Sequence, residues 1–295
     1  HAPHATQIRK QTCRSTLNIG TTGMTSPSVT TAAASFRALA RSRRSTRRFQ
    51  PNRKIPDGVL RDVLESTLTA PSGFNMQPTQ VILVRNQEMK QRLAKEAMLG
   101  GGNQWRTQDA SVLAVFLSDL HVHKRLSRIV ELEKEGNMRD PAYMALLPVV
   151  STFLTGEGHA ATWMKQVATT ALSAVQPMPA IEPVESWSYK NTALAAQTYT
   201  LAAHSHGLAT CMMEGYDNRR VQRLLQIPPE RYSIPLIVAT GYEYQNESLH
   251  SKKTPRLPLE EVFFDGTFGV PLSDLDDETD LIDEETDVSE VAASS

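Results

Sequence analysis

The sequence predicts an α+β protein with one large folded domain. Its strand candidates are short apolar runs at 81–84, 111–117 and 234–240, whereas stretches with helical periodicity are more numerous. Regular single helices do not separate these strands, as they would in a doubly wound sheet. At 295 residues, 40% of them hydrophobic, the chain is long enough to bury a substantial core.

Local signals place the elements of the first half. The predicted helices there span 29–40, 57–68 and 86–98. Pro56 sits at the start of the second helix, where its missing N–H costs nothing, and Asn86 can cap the third. The glycines at 100–102 are expected to form a plain turn before the strand 111–117.

The second half has a weaker pattern between residues 121 and 188. A charged helix is predicted near 125–135, followed by a mixed stretch with several prolines. We expect this segment to cover the domain rather than to build its core. Clearer helices follow at 190–206, with Gly207 as the C-terminal stop, and at 219–225.

The two ends of the chain differ in charge. No Asp or Glu precedes Asp57, and residues 273–295 are acidic without a single base. Residues 1–35 are therefore predicted to be a disordered leader or transit-like segment, and 269–295 an acidic disordered tail. The domain between them spans 36–268. The expected location is cytoplasmic, or mitochondrial if the leader is a transit peptide.

Several functional classes lack their signatures. No dinucleotide-binding glycine motif or P-loop follows a strand, and no serine has the context of a hydrolase nucleophile. The pairs His121/His123 and His204/His206 have no accompanying ligand set, so no metal site is predicted. No run of about 18 apolar residues is present, so no membrane span is expected.

The segment Arg43-Arg44-Ser45-Thr46-Arg47-Arg48-Phe49 is predicted to bind an anion. Guanidinium groups offer forked donors that match phosphate oxygens and keep their charge at any pH. The anion could be a cofactor phosphate, a nucleic-acid backbone or the receptor of a targeting signal. The position between two predicted helices favours a small phosphate, and no second basic stripe with interleaved aromatics indicates nucleic acid.

An ordered set of motifs resembles the FMN-dependent nitroreductase family over residues 36 to about 265. The motifs are Arg43-x-Ser45-x-Arg47-Arg48-Phe49, Ala70-Pro71-Ser72-Gly73-Phe74-Asn75-Met76-Gln77-Pro78, Gly102-Asn103-Gln104-x-Arg106, Trp187-x-Tyr189-Lys190, Met213-Glu214-Gly215-Tyr216-Asp217 and Arg256-Leu257-Pro258. The resemblance implies a three-layer fold, with a mixed central sheet flanked by helices, and an intertwined homodimer. One departure is Thr254, where many relatives carry a lysine.

The resemblance also implies the residues that bind FMN. They are Arg43, Arg44, Ser45, Arg47, Pro71, Ser72, Gly73, Asn75, Gln77, Asn103, Arg106, Met213, Glu214, Gly215 and Arg256. Arg43, Ser45 and Arg256 would hold the phosphate, while Arg47 would face the N1/C2=O edge of the ring and stabilise reduced flavin. The segment Pro71 to Gln77 would come from the partner subunit. Asn103 and Arg106 would bind the pyrimidine edge.

The implied function is an FMN-dependent NAD(P)H oxidoreductase that works by a ping-pong hydride mechanism. Its acceptors would be nitroaromatics, quinones or similar electron-poor molecules, and no side chain is expected to act as a nucleophile. Two alternatives stay open. One is a flavin-dependent reductive dehalogenase of the same fold, suggested by the unaligned segment 121–188. The other is a non-catalytic flavin-binding regulatory protein whose acidic tail recruits a partner.

Overall fold

A four-stranded antiparallel sheet forms the centre of the computed structural model, which describes residues 29–136, 139–155, 158–244 and 254–272. The strands are β1 (Thr79–Val84), β2 (Val112–Asp119), β3 (Ala209–Met213) and β4 (Tyr232–Gly241), in the spatial order β1-β2-β4-β3. The two central strands, β2 and β4, are buried along almost their whole length. Continuous apolar runs of this kind are typical of strands covered on both faces.

The sheet differs from the expected mixed type in one respect. All pairings between its four strands are antiparallel. An isolated parallel bridge, between Ser45 and Thr210, lies at the edge of β3. The α+β class is confirmed. β3 itself is too short and too irregular in composition to be predicted from periodicity.

The helices of the first half follow the local signals closely. They are α1 (Val29–Ser42), α2 (Asp57–Leu68), α3 (Gln87–Glu96) and α4 (Gly100–Asp109). Asn86 caps α3 as predicted, accepting a hydrogen bond from the Met89 N–H at 2.8 Å. The glycine turn is a correction, because only Gly100 has a positive φ, 72°, and the glycines form the first turn of α4.

The helices of the second half were harder to predict. They are α5 (Leu126–Gly136), α6 (Pro141–Thr155), α7 (His159–Ser173), α8 (Val184–Ser205) and α9 (Asn218–Leu225). α6 is apolar on nearly all sides, with Leu146 and Val149 exposed, so it shows no helical period. α8 begins at Val184, earlier than predicted, and its buried face carries the polar side chains of Ser188, Asn191 and Thr192 beside Trp187.

Helices cover both faces of the sheet, which gives the three predicted layers. On one face, Val63 of α2 and Tyr199 of α8 pack against the sheet, and the Tyr199 ring meets Phe116 edge-on at 5.7 Å between centroids. On the other face, Leu93 of α3 and Val221 of α9 are buried. Within the described ranges, no helix is long and apolar enough to cross a bilayer.

The two proposed terminal segments lie largely outside the described residues. Residues 1–28 and 273–295 are not described, so their predicted disorder stays a prediction. The expected domain start at residue 36 falls inside α1, which begins at Val29. At the other end, Phe264 and Pro271 form an isolated antiparallel bridge.

Candidate cofactor site

The arginine cluster lies against β3, one edge of the sheet. Ser45 forms a parallel bridge with Thr210, and the Thr46 N–H donates to the Thr210 carbonyl at 2.9 Å. Phe49 is buried in the core and pairs with Glu243, beyond the end of β4. The cluster is thus held on both sides of Ser45, which is itself exposed.

Two of the four arginines are neutralised within the chain. Arg44 donates to the Glu243 carboxylate at 2.5 Å. Arg48 lies 3.6 Å from an Asp109 oxygen, and its guanidinium carbon is 5.0 Å from the centre of the Trp105 ring. Both side chains are therefore used to hold the segment in place.

The other two arginines are available to an external anion. Among the described residues, neither Arg43 nor Arg47 has a carboxylate partner, and Arg47 is exposed. Arg43 and Arg47 lie on either side of Ser45 in the sequence. Arg44 was also predicted to contact the cofactor. One of its terminal nitrogens is paired with Glu243, while its Nε is buried without a hydrogen-bond partner in the described part of the chain.

A second group of predicted residues lies at the far end of β3. The Asn103 amide donates to the Gly215 carbonyl at 3.2 Å, and Arg106 donates to the Asn103 side-chain oxygen at 3.0 Å. A Cβ on Gly215 would meet the Asn103 nitrogen at 2.4 Å, so this close approach requires glycine. Of their neighbours, Met213 is buried in the core and Glu214 is exposed.

Arg106 also carries an unused donor. Its Nε is buried and has no hydrogen-bond partner within the described part of the chain. A buried donor without a hydrogen-bond partner lowers the stability of the fold, so a ligand that offers an acceptor would satisfy the Arg106 Nε–H. The pair of Asn103 and Arg106 thus has the chemistry to bind the polar edge of a heterocycle.

The third group, the loop 72–77, precedes β1 at the opposite edge of the sheet. Its residues Phe74, Asn75 and Gln77 all have left-handed backbone angles, with φ of 53°, 55° and 46°. Three strand spacings, roughly 14 Å, separate β1 from β3. The first two groups of predicted cofactor residues therefore lie along β3, and the third lies at the opposite edge of the same sheet.

Two side chains of α8 hold the start of this loop. The Gly73 N–H donates to the Asn191 side-chain oxygen at 2.7 Å. The Trp187 ring lies so close that a Cβ on Gly73 would be 3.0 Å from it. Inside the loop, the Gln77 N–H donates to the Ser72 hydroxyl at 3.0 Å. Glycine and serine are thus needed here for the shape of the loop.

A groove of about 1050 Å³ runs along the outer edge of β1. It is bordered by β1, α2 and the loop 72–77, and its lining includes Leu64, Pro71, Gln77, Val81 and Tyr232. An edge strand presents unpaired N–H and C=O groups along its length. The groove is therefore suited to receive another stretch of chain.

Comparison with known proteins identifies the family. Residues 40–242 match the model of the nitroreductase family. The chain belongs to the nitroreductase family. This match confirms the resemblance seen in the sequence motifs, and the protein is accordingly an oxidoreductase of the nitroreductase type.

Individual relatives agree with that assignment. A protein of Thermus thermophilus named NADH dehydrogenase is 29% identical over 226 residues, which cover 77% of this chain and 93% of the relative. A nitroreductase family protein from Streptococcus pneumoniae superposes with a TM-score of 0.58 at 21% identity, covering 77% and 98% of the two chains. A nitroreductase-type protein from Exiguobacterium sibiricum, solved in complex with FMN, superposes with a TM-score of 0.56 at 19% identity, covering 77% and 95%.

The last predicted contact of this nitroreductase, Arg256, lies in an exposed segment. Its guanidinium donates to the carbonyls of Thr254 and Pro255, its own neighbours. The segment 254–272 also exposes apolar side chains, including Leu257 at 67% and Phe268 at 94%. Apolar groups exposed to this degree along one segment are typical of a surface that contacts another chain.

The nitroreductase fold is also held by a charged residue that no motif indicated. Asp119, at the end of β2, is fully buried and accepts hydrogen bonds from Arg125, Arg231 and the His121 N–H. Burial alone raises the pKa of Asp119, but the Arg231 hydrogen bond, the His121 N–H and the two arginine charges hold that pKa below its ordinary value. Arg125 in turn donates to the Gln77 carbonyl at 2.7 Å.

Proposed function

We propose that this nitroreductase is an FMN-dependent NAD(P)H oxidoreductase that binds its cofactor between two copies of the chain. The observation that carries the proposal is a pair of arginines, Arg43 and Arg47, that have no carboxylate partner among the described residues. They lie on a β3 edge that ends at the buried Arg106 Nε, which has no partner in the same part of the chain. These groups fit the phosphate at one end of FMN and the polar ring edge at the other.

The length of β3 supports this fit. From Thr210, beside Ser45, to Gly215 the chain spans roughly 17 Å if it is extended throughout. That is comparable with the distance from the phosphate of FMN to the far edge of its isoalloxazine ring. The solved relative in complex with FMN shares this fold, which also supports FMN as the cofactor.

Each group of residues has a distinct proposed role. Arg43 and Ser45 hold the phosphate, while Arg47 places a positive charge beside the N1/C2=O edge of the ring. Asn103 and Arg106 orient the pyrimidine edge by hydrogen bonds. The absence of a side chain at Gly215 lets the Asn103 amide approach that backbone closely.

The proposed reaction proceeds in two half-reactions at one site. FMN held by Arg43, Ser45, Asn103 and Arg106 would supply the hydride and electron transfer between NAD(P)H and the acceptor, so the protein would need no nucleophile. The arginine at position 47 lowers the cost of the negative charge on reduced flavin. The name of the Thermus relative supports a nicotinamide donor. Nitroaromatics, quinones or similar electron-poor molecules are the proposed acceptors.

The proposed homodimer follows from the separation of the two groups. One chain presents Arg43, Ser45 and Asn103 at one edge of its sheet and the loop 72–77 at the other edge. A second copy can bring its loop to the first chain's β3 edge. We propose that the exposed segment 254–272 lies on the partner, which makes the dimer intertwined and gives the β1 groove an occupant.

Anaerobic reduction tests the proposed function. Purified protein, or protein reconstituted with FMN, should be yellow and should lose that colour when NADH or NADPH is added. Oxygen-free addition of a nitroaromatic or a quinone should restore the colour. Protein that cannot be reconstituted with FMN would overturn the proposal. Bound FMN that neither nicotinamide reduces would instead favour the regulatory alternative, and halide release from a halophenol would favour the dehalogenase.

A further inference from the structure

The loop 72–77 needs external support to keep its shape. Left-handed backbone angles are uncommon for residues other than glycine, and three residues of this loop adopt them. Such a conformation persists only where the surrounding structure holds it. α8 supports the start of the loop through Gly73. The end of the loop needs a support of its own.

The side chain of Asn75 makes two hydrogen bonds within the protein. Its oxygen accepts a hydrogen bond from the Gln77 amide at 3.1 Å, and its nitrogen donates to a Glu133 oxygen at 2.8 Å. Asn75 was predicted to offer its amide to the flavin. That contact stays a prediction; within one chain, the two hydrogen bonds connect the loop to α5.

Glu133 is placed to make this connection strong. Its side chain is only 7% exposed, and its second oxygen lies 3.4 Å from Arg139 Nε. A buried carboxylate that accepts a hydrogen bond fixes its donor more tightly than a neutral acceptor does. A second support comes from Arg125, which donates to the Gln77 carbonyl at 2.7 Å and is itself anchored by Asp119.

We propose that Glu133 is a positioning residue of the cofactor site. Its carboxylate holds Asn75, and through Asn75 it sets the shape of the loop 72–77 before the partner's FMN arrives. This inference rests on the proposed function, since it assumes that the loop contacts FMN. It assigns α5, for which the sequence motifs indicated no role, to the cofactor site rather than to the cover alone.

The test is the dissociation constant of FMN from the reconstituted apoprotein. Glu133→Ala should weaken binding about tenfold, the size expected when a hydrogen bond to a charged group is lost. Glu133→Gln keeps an acceptor for Asn75 and should stay within about threefold of the wild type. If the Glu133→Gln protein binds FMN nearly as the wild type does, the loss in Glu133→Ala comes from the missing hydrogen bond to Asn75 and not from a need for an acidic side chain.

Two matched variants, Glu131→Ala and Asn75→Gly, serve as controls for Glu133→Ala. Glu131→Ala removes an exposed acid from the same helix and should bind FMN as the wild type does. Asn75→Gly tolerates the positive φ and should weaken FMN to the same extent as Glu133→Ala, with no further loss in the double variant. Additive losses, or a Glu133→Ala protein that binds like Glu131→Ala, would overturn the inference alone. A wild-type protein that binds no FMN would overturn the proposed function and this inference with it.

Discussion

At the scale of single residues, the arginine cluster divides into two pairs with different roles. Arg44 and Arg48 face carboxylates of their own chain, whereas Arg43 and Arg47 face none among the described residues. The motif alone could locate the cluster but could not make this division. The carboxylate that pairs with Arg44 belongs to Glu243, which is 199 residues away along the chain.

Alanine variants of the cluster should therefore have different effects. Arg43→Ala should weaken FMN binding by about tenfold or more, since it removes the proposed charged contact to the phosphate. Arg47→Ala should in addition lower the midpoint potential of the bound flavin, because reduced flavin loses its neighbouring positive charge. Arg44→Ala should mainly lower thermal stability, by about 1 kcal/mol, because its ion pair is part-exposed.

Two measurements separate these outcomes. Titration of apoprotein with FMN gives the dissociation constants, and anaerobic dye equilibration gives the potentials. Equal losses of FMN in the Arg43→Ala and Arg47→Ala proteins, with an unaltered potential, would contradict the assigned roles.

At the scale of elements, local signals predicted structure where packing and periodicity agreed. The Asn86 cap and the strands β2 and β4 are confirmed. They could be predicted because each has a recognisable pattern in the local sequence. α6 and the start of α8 escaped prediction for opposite reasons. One is apolar on its exposed side, and the other is polar on its buried side, so neither shows a helical stripe.

Asp119 joins three elements, and its removal should be costly. It ties the end of β2 to Arg231, just before β4, and to Arg125, which reaches the loop before β1. Asp119→Asn leaves these two guanidinium groups without their carboxylate. The expected loss of unfolding free energy near neutral pH is about 3 kcal/mol.

The pH dependence of that loss has a definite sign. Hydrogen bonds and arginine charges hold the pKa of Asp119 below its ordinary value in the folded protein. The stabilisation is therefore complete above the ordinary carboxyl pKa of about 4 and is lost as the pH falls below it. Urea unfolding at several pH values should show the gap between wild type and Asp119→Asn narrowing in acid. A gap that stays constant below about pH 4 would contradict this role.

At the scale of the whole molecule, sheet topology decides how the cofactor site is built. The sequence motifs named nearly all of the candidate residues, but motif order cannot show that β1 and β3 lie at opposite edges of the sheet. That separation gives a physical reason for a site shared between two chains.

Mixed dimers test the shared site most directly. Arg43→Ala damages the β3 edge, and the double variant Asn75→Gly/Gln77→Gly removes two loop side chains while tolerating the positive φ values. Each homodimer should bind FMN poorly. Dimers formed from an equal mixture should regain about a quarter of the sites, because half of them carry one intact site. A mixture of Arg43→Ala with Arg106→Ala, both altered at the β3 edge, should regain none. Failure of the first mixture to recover FMN binding, with mixed dimers demonstrably present, would contradict the account.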